Sequence, residues 1–260
     1  MAGTDVSRKV ATTSGAPAIV LVRPQLAENV GAAARAMLNC GLTDLRLVAP
    51  RDGWPDERAV PTASGATSVL DRVRVFDTLE AAIADLELVY AATARRRDMI
   101  KPVVTPRRAA DEMHRAIAGG QRCGIVFGPE RTGLESEEVV LASAILTVPL
   151  NPAFSSLNLA QAVLLVAWEW LAAADGTPGR ETPYAQSPPA TSAQLLDFFD
   201  HLEAQLDEAG FFRTPELRPS MVRALRNLLR RAEPSDQEVR TLHGVLVALS
   251  RKRRHELGDG

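Results

Sequence analysis

The sequence predicts an α/β protein: a parallel sheet with helices on both faces, followed by a small all-helical unit. Three observations carry this reading. Short apolar, β-branched runs alternate with helical patterns from residue 18 to 174, the grammar of a parallel sheet with crossover helices. Residues 175–190 (DGTPGRETPYAQSPPA) then turn abruptly to Pro, Gly and Ser, which marks a linker. Over residues 191–260 helical patterns continue while the β-branched runs stop.

Taken in order, residues 1–17 carry no periodic pattern and read as a flexible tail. AIVLV at 18–22 is a short buried strand, and Asn29 is a suitable N-cap for the Ala-rich helix VGAAARAMLNC, which Gly41 stops. LRLVA, VRVF and LVYAAT read as strands, with a broken helix in ERAVPTASGAT and a further helix in TLEAAIADL. Another helix runs over 106–118, closed by Gly119 and Gly120. CGIVF and ILTVPL are then strands ending side by side in turn-rich loops, FGPERTGL and NPAFSS. The helix over 157–174 is apolar nearly all round, so it belongs in a core or at a subunit interface. In the last unit three helices are expected, over 192–209, 215–231 and 235–251.

The composition narrows the function. With 260 residues, 46% hydrophobic and 24% charged, the chain can build one sizeable core plus a smaller unit. A net charge of -2 means that any nucleic-acid contact must come from local basic patches. Cys40 and Cys123 each sit in an apolar pattern, which favours reduced thiols and a cytosolic, cytoplasmic setting over a disulfide framework. Residues 1–17 lack a signal peptide's apolar core, and no apolar run reaches membrane-spanning length, so no membrane partner is expected. No G-x-G-x-x-G follows the first strand, no P-loop or hydrolase elbow occurs, and His114, His201, His243 and His255 lack metal-ligand spacing, so no metal is expected.

Ligands of open α/β sheets bind outside the carboxyl ends of the strands, which directs attention to FGPERTGL and NPAFSS. Gly128 lets another group approach the backbone closely, Pro129 stiffens the loop, and Gly133 supplies a turn. The helix that follows begins LESEE, and first-turn carboxylates disfavour an anion there. NPAFSS offers Asn151, Ser155 and Ser156 before a helix whose first turn has no carboxylate, which leaves N–H groups for a ligand. Asn158 and Gln161 lie three apart on an otherwise apolar helix, and buried amides need partners.

ENVGAAARAM, FGPERTGL and NPAFSSLNLAQAV, in this order and spacing, resemble the three motifs of the SPOUT superfamily of S-adenosylmethionine-dependent RNA methyltransferases, in its 2′-O-ribose branch. ETPY, then HLEAQLDEAGFF and the helices after it, resemble the carboxy-terminal extension of the tRNA methyltransferase J (TrmJ) type. The resemblance implies a trefoil-knotted sheet, a homodimer with composite sites, S-adenosylmethionine as methyl donor, and tRNA as substrate, methylated on the 2′-hydroxyl of nucleotide 32 (C or U). The implied donor site is Ala92, Thr93 and Ala94; Gly128, Glu130 and Gly133; and Val148, Leu150, Ser155, Ser156, Leu157 and Asn158. Arg35, with Asn29 and Ser156, is placed at the reacting centre. Glu130 stands under two readings, a loop-holding hydrogen-bond partner or a direct participant.

Basic residues supply the expected RNA footprint: Arg95, Arg96 and Arg97 in ATARRR, then Arg223, Arg226 and Arg230 on one helical face, with RKRR at 251–254 beyond. Two alternatives stand beside the main reading. One is a 2′-O-methyltransferase for ribosomal RNA or another tRNA position, and the other is a catalytically silent RNA-binding factor with the same fold.

Overall fold

The computed structural model describes residues 15–94, 99–177, 179 and 187–258. The chain forms two compact units, dividing at Gly176 and Thr177. Most of the amino-terminal tail, Arg95, Arg96 and Arg97, and residues 180–186 of the expected linker lie outside the described residues.

In the first unit the element order is β1 (Ala18–Val22), α1 (Ala27–Asn39), β2 (Leu45–Val48), α2 (Ala59–Ala63), α3 (Thr67–Leu70), β3 (Arg74–Phe76), α4 (Leu79–Ile83), β4 (Leu88–Ala92), β5 (Val103–Val104), α5 (Pro106–Ala118), β6 (Cys123–Phe127), α6 (Ser136–Val140), β7 (Ala144–Leu146) and α7 (Leu159–Ala174). All pairings are parallel, in the order β3-β2-β1-β6-β4-β7-β5. The all-apolar run AIVLV is buried on both faces in β1, as strands covered by helices on each side must be. One core layer joins the sheet to α1, α5 and α7, through residues such as Met37, Met113, Val163 and Trp170. The other face packs Val20, Val126 and Ile145 against Leu79, Ala82 and Leu134.

Several expectations need correction. The two strands before FGPERTGL and NPAFSS do not end side by side: β4 lies between β6 and β7, with Tyr90 in register with Ile125 on one side and Ala144 on the other. Three loops therefore converge at this edge, the third being the one after Ala92. Asn29 is not the N-cap of α1. Leu26 holds that position without a side-chain cap, and Asn29 lies inside the first turn because its amide is committed to tertiary hydrogen bonds. Helix α7 begins at Leu159 because Asn158 caps it, accepting from Ala160 N and sharing a capping box with Gln161. Both amides are exposed and partnered, not buried. Strand β5 was missed, since two residues between Pro102 and Thr105 carry no period.

Gly31 of the first motif serves packing. A Cβ there would meet Ala59 O at 1.9 Å and Thr62 Oγ1 at 2.2 Å, so only glycine lets α2 close on α1. The Thr62 hydroxyl seals that contact by donating to Glu28 O at 2.8 Å.

The second unit consists of α8 (Ser192–Glu208), α9 (Arg218–Ala232) and α10 (Asp236–Gly258), packed on Leu195, Phe198, Phe199 and Val239. Helix α9 starts later than its pattern suggests, after a turn in which Leu217 N donates to Thr214 O. No described helix is long and apolar enough to cross a membrane.

One charged residue is buried inside the sheet. Arg46 of β2 is 2% exposed and holds Asp44 at 2.9 Å, Asp85, and the Ala82 carbonyl at 2.6 Å. The Arg46 hydrogen bond holds Asp85 below the ordinary carboxylate value. Burial alone would raise Asp44, but bonds from Arg46 and Arg74 outweigh it and lower it. Carboxylates held low stabilise the fold above their ordinary value of 3.8 and lose that contribution as the pH falls through the folded values. Arg46→Met should therefore cost about 3 kcal/mol at pH 7, the low end for a broken buried pair because both carboxylates keep some contact with water. The gap to the unmodified protein should narrow as the pH falls below about 4, which urea midpoints at a series of pH values from neutral downwards will check.

Candidate functional site

At the carboxyl ends of β6, β4 and β7 the three loops enclose a cavity of about 310 Å³. The structure brings eleven of the twelve residues expected at the donor site to its wall: Ala92, Thr93, Ala94, Gly128, Glu130, Gly133, Val148, Leu150, Ser155, Ser156 and Leu157. Asn158 stands just outside as the α7 cap. Phe127 and Pro129, the neighbours of Gly128, also line it, as do Arg131, Thr132 and Leu146; the last three carry no sequence signal because none departs from an ordinary loop or strand pattern.

Each loop is locally determined. Thr93 N donates to Leu146 O at 3.0 Å and Thr147 Oγ1 to Thr93 O at 2.9 Å, tying the ends of β4 and β7 together. In FGPERTGL, Gly133 adopts φ 67°, the left-handed region that favours glycine, and its N–H donates to Pro129 O at 2.8 Å. The loop thereby folds back on itself. A Cβ on Gly128 would lie 2.2 Å from Leu134 N and 2.4 Å from Gly133 C. The group that Gly128 admits is therefore the loop's own backbone. In NPAFSS, Ala153 N donates to Asn151 Oδ1 at 3.0 Å and Phe154 N to Asn151 O at 2.9 Å, which makes a tight turn ahead of the two serines.

A chain of side-chain hydrogen bonds links these loops to α1. Asn158 Nδ2 donates to Asn29 Oδ1 at 2.9 Å, and Asn29 Nδ2 donates to Glu130 Oε1 at 2.8 Å. Gln25 N donates to Glu130 Oε2 at 2.9 Å. Both carboxylate oxygens of Glu130 are thus engaged within the chain, the geometry of the loop-holding reading. Asn29 is buried behind the cavity wall. Arg23, given no role from sequence, ion-pairs with Glu138 at 2.6 Å and Glu135 at 3.2 Å, so it neutralises the acidic start of α6. A lone arginine before a proline carries no signal that could have revealed this.

Arg35 is exposed and has no ion pair or hydrogen bond among the described residues. Six residues beyond Asn29, it lies about 9 Å along α1 and roughly 120° around the axis. It does not line its own chain's cavity.

The basic face of α9 divides. Arg226 Nε donates to Glu203 at 2.7 Å, and its guanidinium lies 5.4 Å from the Phe199 ring centroid, so that charge is spent joining α9 to α8. Arg223 is exposed without a partner among the described residues, and Arg230 makes one long contact, 3.4 Å, to Ser192 Oγ. The side chains of residues 251–254 lie outside the described residues. His201 and His243, 42 positions apart, meet through their Nδ1 atoms at 2.9 Å, a contact that sequence spacing hides. Among the described residues no group of three or more His, Cys, Asp or Glu side chains could hold a metal ion.

Comparison with known proteins fits this geometry. Residues 16–168 match the SpoU rRNA Methylase family, and residues 193–258 match the tRNA methyltransferase TrmJ C-terminal domain. The chain is 37% identical to the tRNA (cytidine/uridine-2′-O-)-methyltransferase TrmJ of Klebsiella pneumoniae, over 91% of this chain and 97% of that protein. It is 36% identical to the protein of that name from Escherichia coli K12, over 91% and 96%. The crystal structure of TrmJ from Zymomonas mobilis ZM4 superposes with a TM-score of 0.76 at 52% identity, covering 90% of this chain and 99% of that one. The chain is therefore a methyltransferase-family protein, belonging to the SpoU methylases and, within them, to the TrmJ type.

Proposed function

We propose that this chain transfers a methyl group from S-adenosylmethionine to a ribose 2′-hydroxyl of tRNA, at nucleotide 32 of the anticodon loop, working as a cytoplasmic homodimer with a knotted sheet. The observation that carries the reading is the cavity itself: three small-residue loops, in a chain of this family, meeting where an open parallel sheet takes its ligand. Its volume is at the lower end of the roughly 300–1,000 Å³ usual for small-molecule sites. The chemistry of the wall suits the donor. Ala92, Ala94 and Gly133 leave backbone exposed, Leu146, Val148 and Leu150 offer apolar surface, and Glu130 has its charge compensated by two donors. Ser155 and Ser156 add hydroxyls just before α7, whose opening N–H groups the Asn158 cap engages.

Bound there, S-adenosylmethionine supplies an electrophilic methyl group on a sulfonium. The protein's task is then to position a weak nucleophile, which can contribute about 7 to 11 kcal/mol. Arg35 is not assigned as a base, because a guanidinium offers donors and no acceptor. Its free fork instead clamps the phosphate beside the target ribose and stabilises charge growing on the 2′-oxygen. Since Arg35 is exposed and does not line its own chain's cavity, we assign it to the site of a second copy. The exposed apolar residues Leu164, Leu165 and Trp168 of α7 support a dimer. Insertion of β6 between β1 and β4, and of β7 between β4 and β5, supports the knot, since both late strands enter between earlier ones. Arg223 and Arg230, more than the internally paired Arg226, suit RNA phosphates; Arg95, Arg96 and Arg97 are proposed for the same role.

Nucleotide-resolution mapping of 2′-O-methylation in unmodified tRNA, with and without the purified protein, should show one new mark at nucleotide 32. A mark elsewhere overturns the position, and no transfer to any RNA overturns the activity. Arg35→Lys should lose at least about a hundredfold in turnover while keeping donor affinity, because the bidentate fork is lost although the charge stays. Turnover near that of the unmodified protein would remove the clamp.

A further inference from the structure

At the cavity wall and next to it in sequence stand two side chains that no hydrogen bond or ion pair engages among the described residues. Phe154 is 76% exposed, the most exposed aromatic side chain among the described residues. Leaving such a ring in water forgoes the stabilisation that burial would bring, yet its backbone is held firmly. The Asn151 side chain and carbonyl pin Ala153 and Phe154 in a bridged turn, and the next residues, Ser155 and Ser156, are cavity wall. Arg131 follows Glu130 in the wall formed by the loop after β6. It is exposed, and no ion pair or hydrogen bond engages it among the described residues. Among the described residues Glu130 is the other charged residue lining the cavity, and its carboxylate is already satisfied. The described residues thus place an exposed aromatic ring next in sequence to the cavity wall and an unpaired guanidinium in it.

That combination matches one ligand class. Unpaired nucleotides are bound by stacking bases on aromatic rings and by cations that follow the phosphates. We infer that Phe154 is the stacking platform for an unpaired base at or next to the target nucleotide, and that Arg131 takes a flanking phosphate. The inference rests on the RNA reading above and deepens it. A rigid turn holding the ring next to Ser155 and Ser156 fixes where the base stands, and hence which ribose reaches the donor. Specificity then comes from the requirement for an unstacked nucleotide, since any base offers a π face.

The test uses the full-length protein, unmodified tRNA, and S-adenosylhomocysteine as probe for the donor cavity. Phe154→Ala should raise the KM for tRNA by about tenfold or more, within the range for loss of one stacked base. Phe154→Trp should restore it, and Phe154→Leu, apolar but unable to stack, should not. Arg131→Ala should lower the salt dependence of tRNA binding by about one phosphate contact; S-adenosylhomocysteine affinity should hold in the Phe154 variants and the oligomeric state in every variant. The inference is overturned by an unchanged KM in Phe154→Ala, by full activity in Phe154→Leu, by dissociation of a dimer, which would show a second copy covering the ring, or by an unchanged salt slope in Arg131→Ala. An unmodified protein that transfers no methyl to tRNA strikes the underlying reading instead. An active one indifferent to Phe154→Ala strikes only this inference.

Discussion

A single amide, that of Asn29, holds the candidate site together. It accepts from Asn158 at the mouth of α7 and donates to Glu130 in the loop after β6, while Glu130 also accepts from the backbone at Gln25. Two loops, each more than a hundred residues from Asn29 in sequence, are thereby locked to the first turn of α1. Asn29 itself is buried, so loss of one partner would leave a polar atom of its amide unsatisfied at about 1–3 kcal/mol. The cavity inherits its shape from this lock. Gly128 and Gly133 let the β6 loop fold tightly enough to reach Asn29, and the Asn158 cap sets where α7 begins.

The topology explains why so small a lock suffices. With β4 between β6 and β7, the three carboxyl ends are already neighbours, and the backbone bond from Thr93 to Leu146 fixes two of the loops. Asn29 needs only to bring in the third and to connect all of them to the helix that carries Arg35. One element therefore serves two sites: its first turn shapes its own chain's cavity, and its later turns present a guanidinium outward.

Much of this was legible in the sequence, for reasons particular to each element. Fully apolar runs such as AIVLV and CGIVF have only one way to be buried, and Pro106 and Gly119 punctuate α5 on both sides. FGPERTGL and NPAFSSLNLAQAV supply two of the cavity's three loops, and ENVGAAARAM supplies Asn29 behind them. Tertiary use of polar groups was not legible. Asn29 has the residue type of a cap but spends its amide elsewhere, Arg46 sits among apolar neighbours in LRLV without revealing its two aspartates, and Arg226 shares a face with Arg223 while pairing with Glu203. Each depends on partners tens of residues away, which periodicity cannot see. Strand order was hidden likewise, because β4 takes its place between β6 and β7 through contacts that no local pattern encodes.

The coupling through Asn29 is measured most directly by a double-mutant cycle. Asn29→Ala, Glu130→Ala and the double variant would be compared by urea unfolding at pH 7. The expected result is that the two losses are strongly non-additive, with an interaction energy of about 1 kcal/mol or more. Losses that add to within about 0.5 kcal/mol would show that the two side chains act independently, and the lock at the centre of this site would not exist.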